Sequence, residues 1–189
     1  KRRTMMKIKG VDLSYCQEGI SFPALKQAGV RFAIIRAGFS TKKDVTMDKF
    51  VADCKKHSID YGFYWYSYAM SVEQAEAEAK KCISVIKELS PTYPVFFDME
   101  EKKQISGLNT DTRTKMAIAF CEKISQAGFK PGVYTNPSFM ENYYDKSRIV
   151  GRYDIWLAHW TNSPNCPSKH SYGQTMWQWG LDKIDGYEV

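Results

Sequence analysis

The apolar positions of the chain fall into short unbroken runs that alternate with stretches of helical period. Runs of strand length cover Ile8 to Ser14, Arg31 to Ala37, Asp60 to Ala69, Pro94 to Asp98, Lys130 to Thr135, Tyr153 to Trp160 and Gln174 to Trp179, and Gly186 to Val189 reads as the start of one more. Between them, apolar residues recur every three or four positions. Met47 to His57 carries Phe50, Val51 and Cys54, the stretch from Ser71 to Leu89 carries Ala75, Ala79, Cys82, Ile83 and Ile86, and Thr110 to Ala127 carries Met116, Ala117, Phe120, Cys121 and Ile124. Ser71 with Glu73 and Gln74 behind it is a helix-start signal, and Gly128 is a stop. Shorter helices are predicted over Phe22 to Ala28 and around Phe139.

Strands that alternate with helices through the first two thirds of the chain imply right-handed crossovers and a parallel sheet. About eight strands are predicted, and only some connections are long enough to hold a helix. The pattern therefore predicts an α/β fold: a closed but irregular TIM-like β/α barrel with fewer than eight full helices. The 189 residues suffice for one such domain and contain no linker-like stretch. Residues 1–7 read as a tail, and 8–189 as a single barrel domain whose last strand is cut short.

The chemistry is concentrated at Pro94 to Glu101, an apolar run that stops on three acids. Alternation along a strand points Asp98 and Glu100 the same way, roughly 6.6 Å apart along the chain, and Met99 and Glu101 elsewhere. Like charges this close, with Phe96 and Phe97 beside them, raise the pKa of one acid and leave a neutral acid next to an anion, the division of labour that glycoside hydrolysis requires. The plainer reading is an exposed acidic loop that caps the next element. Closure into a barrel gathers the carboxyl ends of all strands on one rim, where sites of such folds lie. Asp12, Arg36, Tyr64, Asp98, Glu100, Tyr134, Trp156 and Gln178 all fall at or near such ends.

Composition changes this picture little. Aromatic residues make up 14% of the chain, and Tyr64, Tyr66, Tyr134, Trp156 and Trp179 are candidates for stacking on sugars, with core packing the alternative for each. Arg36 is a candidate for holding a carboxylate of the substrate, of Asp12 or of Asp98, with an internal ion pair as the plainer role. The net charge of +6 and pI near 9.0 suit a polyanion such as an acidic wall polymer. The basic residues form no stripe with interleaved aromatics, so no nucleic-acid partner is expected. Five cysteines without Cys-x-x-Cys spacing define neither a zinc site nor a disulfide framework, and Cys54, Cys82 and Cys121 read as small buried apolar residues. His57, His159 and His170 lack ligand spacing, so no metal and no cofactor are expected. The amino end lacks the apolar run of a signal peptide, and no membrane insertion is expected.

Seven ordered blocks, Gly10 to Ser14, Phe32 to Gly38, Gly62 to Tyr66, Phe97 to Glu100, Gly132 to Asn136, Ile155 to Ala158 and Met176 to Trp179, resemble glycoside hydrolase family 25, the lysozymes that cleave peptidoglycan. The resemblance implies an irregular β/α barrel that hydrolyses the β-1,4 bond between N-acetylmuramic acid and N-acetylglucosamine. It implies Glu100 as general acid, Asp98 as the carboxylate two residues before it, and Asp12 as the acid on the first strand. The family pattern carries a further acid on its last strand, just after a segment like Gly186 to Val189, where this sequence stops. Neither Asp182 nor Asp185 is assigned that role. Two acids on one strand face suit a route in which the substrate's own N-acetyl oxygen attacks and Asp98 orients it. Arg36, Tyr64, Tyr66, Tyr134, Trp156, Gln178 and Trp179 are expected to bind the glycan strand, and a monomer acting outside the cell or at the wall is expected. The alternatives are a chitin-type glycosidase and a carbohydrate-binding barrel without turnover.

Overall fold

A computed structural model describes residues 7–189, so all but the last residue of the expected tail lies outside the described residues. In chain order the elements are β1 (Gly10–Leu13), α1 (Phe22–Gln27), β2 (Phe32–Phe39), β3 (Lys42–Lys43), α2 (Met47–His57), β4 (Asp60–Tyr66), α3 (Val72–Ile86), β5 (Val95–Asp98), α4 (Lys102–Gly107), α5 (Thr110–Gln126), β6 (Pro131–Thr135), α6 (Pro137–Asn142), β7 (Asp154–Ala158), β8 (Met176–Gln178), β9 (Lys183–Ile184) and β10 (Tyr187–Glu188). Helix α3 starts where Ser71 accepts the Gln74 backbone N–H, as its sequence signal predicts. The short helix α4 and the two-residue strand β3 were not foreseen.

Strands β1, β2, β4, β5, β6, β7 and β8 follow one another in a single sheet, every neighbouring pair parallel, with β3 folded back antiparallel on β2. The parallel α/β expectation therefore holds, but the closed barrel is corrected. The sheet curls into a half-barrel in which β1 and β8 are not paired, because β8 is only three residues long and the chain then leaves the sheet. Gly186 to Val189 does form a strand, but in a separate antiparallel hairpin of β9 with β10. The seam between β1 and β8 is a cavity of about 690 Å³ whose walls include Val11, Met176, Trp179 and Val189.

Alternation along the strands sorts the apolar residues into two layers. Val11, Leu13, Ile35, Phe63, Trp65, Val95, Phe97, Val133, Ile155 and Leu157 join the helices in the main core. Phe97 accordingly packs on Phe120 of α5 and not beside the acids. Phe32, Ile34, Phe96 and Trp156 fill the concave side of the sheet. The rings fit because two strands carry glycine opposite them. A Cβ at Gly10 would stand 2.1 Å from the Phe32 ring, and one at Gly132 2.5 Å from Phe96. The buried cysteines Cys54, Cys82 and Cys121 sit in the main core on α2, α3 and α5, as expected of small apolar residues, while Cys16 and Cys166 are exposed and free.

Candidate active site

The concave face of the half-barrel ends in polar side chains. Asp98, the last residue of β5, continues the inward row begun by Phe96, and in register with it stand Tyr66 on β4 and Tyr134 on β6. Glu100 lies two residues past the strand end and is exposed at the mouth, whereas Asp98 beneath it is buried. Each carboxyl group perturbs the titration of the other. Loss of surrounding water, nearly complete at Asp98 and partial at Glu100, is the main cause that raises both acids above the ordinary carboxylate range, and Asp12 on β1 adds to the repulsion at each. Asp12 is itself raised by loss of solvent, less the help of a hydrogen bond from Gln178. Three acids thus converge on one rim, and the deeper one of the pair, Asp98, is raised further than Glu100. One oxygen of Asp98, Oδ1, is buried and has no partner.

Arg36 is the cation among them, but its partner is one the sequence reading did not name. Its Nε donates to Asp44 Oδ2 at 2.7 Å, and the guanidinium lies 4.8 Å from the centre of the Tyr15 ring and 5.1 Å from that of Phe39. Asp44 also accepts the backbone N–H and hydroxyl of Thr46, and together these donors hold it below the usual carboxylate range despite its burial. The second guanidinium nitrogen, Nη2, is buried without a partner and its charge lowers the pKa of Asp98.

Aromatic side chains wall the mouth. From Arg36 the contacts run through Phe39 to Tyr68 and on to Tyr66, whose hydroxyl donates to Glu101 at 2.9 Å. On the other side Gln178 is a hub: its carbonyl accepts from Tyr134 at 3.1 Å and from the Trp160 indole at 2.9 Å, and its amide donates to Asp12 at 2.9 Å. Tyr15, Tyr68 and Trp160 are about half exposed, which is the availability a sugar-stacking residue needs. Trp156 is 4% exposed and forms the floor, with Tyr64, Phe96 and Tyr134 packed round it. Trp179 faces the seam cavity.

The structure therefore gathers Asp12, Asp98, Glu100, Tyr134 and Gln178 at one mouth and seats Tyr64 and Trp156 beneath it. Tyr15, Asp44 and Trp160 were missed. The signal for Trp160 was its place at the end of a predicted strand, whereas Tyr15 and Asp44 lie in irregular segments with no pattern. Among the described residues no group of three or more His, Cys, Asp or Glu side chains is arranged to hold a metal ion, and no helix is long and apolar enough to cross a membrane.

The model of the family described as Glycosyl hydrolases family 25 matches residues 11–185. The chain belongs to that family. Similar proteins include a lysozyme of Lactococcus phage mv1, 26% identical over an alignment of 162 residues that covers 82% of this chain and 79% of the phage protein. An N,O-diacetylmuramidase of Arthroderma benhamiae is 24% identical over 181 residues, 90% of this chain and 76% of that protein. The chain spans about half the length of an autolytic lysozyme of Clostridium acetobutylicum, 48% of it at 24% identity, with 86% of this chain covered. Among solved structures, a family 25 glycosyl hydrolase from Bacillus anthracis shares the fold with a TM-score of 0.74 at 23% identity, over 99% of this chain and 86% of that one. The modular autolysin LytC of Streptococcus pneumoniae, solved with a synthetic peptidoglycan ligand, gives 0.77 at 24% identity, over 94% of this chain and 43% of that one.

Proposed function

We propose that this family 25 chain hydrolyses the β-1,4 bond between N-acetylmuramic acid and N-acetylglucosamine in peptidoglycan, with Glu100 as proton donor and Asp98 orienting the substrate's N-acetyl group. The observation that carries the reading is the pairing of buried Asp98 with Glu100 at an open mouth, each perturbing the titration of the other, with Asp98 Oδ1 buried and unpartnered. A buried carboxylate oxygen without a donor is costly. The N–H of an acetamido group on the bound sugar supplies that donor. Once it does, Asp98 is favoured as the anion and the proton of the pair moves to Glu100, the outer acid that faces the glycan.

The reaction then runs without a metal or cofactor. Glu100 gives its proton to the glycosidic oxygen as the bond from C1 to that oxygen breaks, and the acetamido carbonyl oxygen attacks C1 to form an oxazolinium ring that Asp98 stabilises through the N–H. Water attacks C1 from the face the leaving group vacated, its proton returns to Glu100, and the ring opens to the N-acetyl sugar. The two displacements together retain the configuration at C1. Asp12, anchored by Gln178, helps hold the proton on the pair, and Tyr15, Arg36, Tyr66, Tyr68, Tyr134 and Trp160 line the glycan path. The substrate places the enzyme at the bacterial wall, outside the cell that makes it or at the wall of its target.

Mass analysis of muropeptides from a digested wall tests this, with Glu100→Gln as control. New reducing-end muramic acid that disappears in the control is the expected result. Reducing-end glucosamine, free peptide stems, or cleavage of chitin oligomers alone rejects it. Inversion at the anomeric carbon of the first product, read by NMR, rejects the N-acetyl route while leaving the bond assignment standing.

A further inference from the structure

Gln104 is a wholly buried amide on α4, only four residues past Glu100. Its Nε2 donates to the backbone carbonyls of Ser67 at 3.1 Å and Ala69 at 2.9 Å, and its Oε1 accepts the backbone N–H of Glu101 at 3.0 Å. Burying an amide without partners costs about 2–7 kcal/mol, so this side chain is tolerated there only with its bonds made. The bonds tie two segments of the mouth together: the exit of β4, which carries Tyr66 and Tyr68, and the residue that follows Glu100.

The surroundings fix the tie at both ends. From α3, Glu78 accepts the Tyr68 backbone N–H at 2.9 Å, and the Tyr66 hydroxyl binds Glu101 from the front. Helix α4 has six residues, too few to be stable alone. Arg113 of α5 holds its far end, donating to the carbonyls of Gln104, Ile105 and Leu108 and through Nε to that of Tyr143. Gln104 is thus the buried link between an aromatic wall and a catalytic acid that sit on different elements.

We infer that Gln104 is a positioning residue, setting the distance between the Tyr66 and Tyr68 wall and Glu100 so that a glycan stacked on the wall presents its scissile oxygen to the acid. This role rests on the muramidase reading above. Misplacement of reacting groups by about 1 Å costs on the order of a hundredfold in rate, so a link of this kind matters without touching the substrate.

The test is steady-state release of reducing ends from purified peptidoglycan by the full chain. Gln104→Met keeps the side-chain length and removes all three bonds. It is expected to lower kcat/KM roughly 30-fold, and to lower it at least about threefold less in a Tyr68→Ala background, because part of the effect acts through the wall. Equal losses in the two backgrounds, or kinetics within about twofold of wild type, overturn the role. Gln104→Glu keeps the acceptor for Glu101 but sets an oxygen against the two carbonyls, and it does not depend on methionine fitting the site. Its loss relative to wild type is expected to be large near pH 7.5 and to shrink toward about pH 5, as the carboxyl gains a proton to donate. A loss that does not change with pH overturns the role as well. A wild type that releases no muramic acid ends rejects the muramidase reading and this role with it, an outcome distinct from an active wild type indifferent to Gln104→Met.

Discussion

The Gln178 amide reaches across the unpaired seam of the half-barrel and donates to Asp12 Oδ2 at 2.9 Å, linking side chains 166 positions apart where no backbone hydrogen bond joins β1 to β8. One side chain thus does for the rim what a strand pair would do for the sheet. Gln178→Ala removes this donor together with the acceptor for Tyr134 and Trp160. Leaving a desolvated carboxyl short of a partner costs about 1–3 kcal/mol. A drop of that size in urea-melt stability is expected, with kcat/KM falling about tenfold. Unchanged melts would show that the seam is closed by other means.

Asp12 raises the pKa of both Asp98 and Glu100 through its charge. In the mechanism proposed above the pair works with one proton on it, so the activity profile is expected to rise as the pair loses its second proton and to fall on the alkaline side as it loses the last. Asp12→Asn removes an anion and makes that last proton easier to lose. The alkaline limb of kcat/KM is therefore expected to move to lower pH, and a limb that stays in place or moves up contradicts the electrostatic role.

Trp160 offers a half-exposed indole at the mouth, steadied by its N–H on Gln178. Pairs of aromatic rings gain about 0.5–1.5 kcal/mol beyond the area they bury, and the expectation for an indole on a sugar face is set on that scale. Trp160→Ala is expected to raise KM for peptidoglycan roughly 3- to 10-fold with kcat nearly unchanged. Loss confined to kcat would place this ring outside the glycan path.

Glu78, 5% exposed on α3, has its carboxyl pushed up by burial to about 7. The folded state holds this proton more tightly than the unfolded chain does. The contribution to stability is therefore whole below the ordinary glutamate pKa of 4.5 and is lost as pH rises toward 7, by on the order of 2–3 kcal/mol. Glu78→Gln keeps the acceptor for Tyr68 and cannot ionise, so its stability is expected to change less between these pH values. Parallel melting curves for the two proteins across that window would contradict the burial account.

The sheet was legible because its signal is local. Runs such as Arg31 to Ala37 and Pro94 to Asp98 have strand length and carry a charge at or near their end, and alternation is enough to set Asp98 on the same face as Phe96. Helices α2, α3 and α5 were legible from their apolar period. The elements and contacts that were missed depend on pairings distant in the chain. Helix α4 is short and polar and stands only because Gln104 and Arg113 are satisfied by other segments. The pairing of Arg36 with Asp44 depends on the β3 turn, which no periodicity announces. Barrel closure was overpredicted because counting strands does not reveal that the last one of the sheet is too short to reach the first.

An all-parallel path from β1 to β8 also governs how the molecule comes to life. Each pairing waits for a crossover, so contacts are distant in sequence and folding is slow. A nascent chain that has made β5 already owns both members of the acid pair, yet it lacks Tyr134, Trp160 and the glutamine that steadies the acid on β1. In the proposed mechanism the site is therefore complete only late in assembly, once the chain past β7 has joined the sheet.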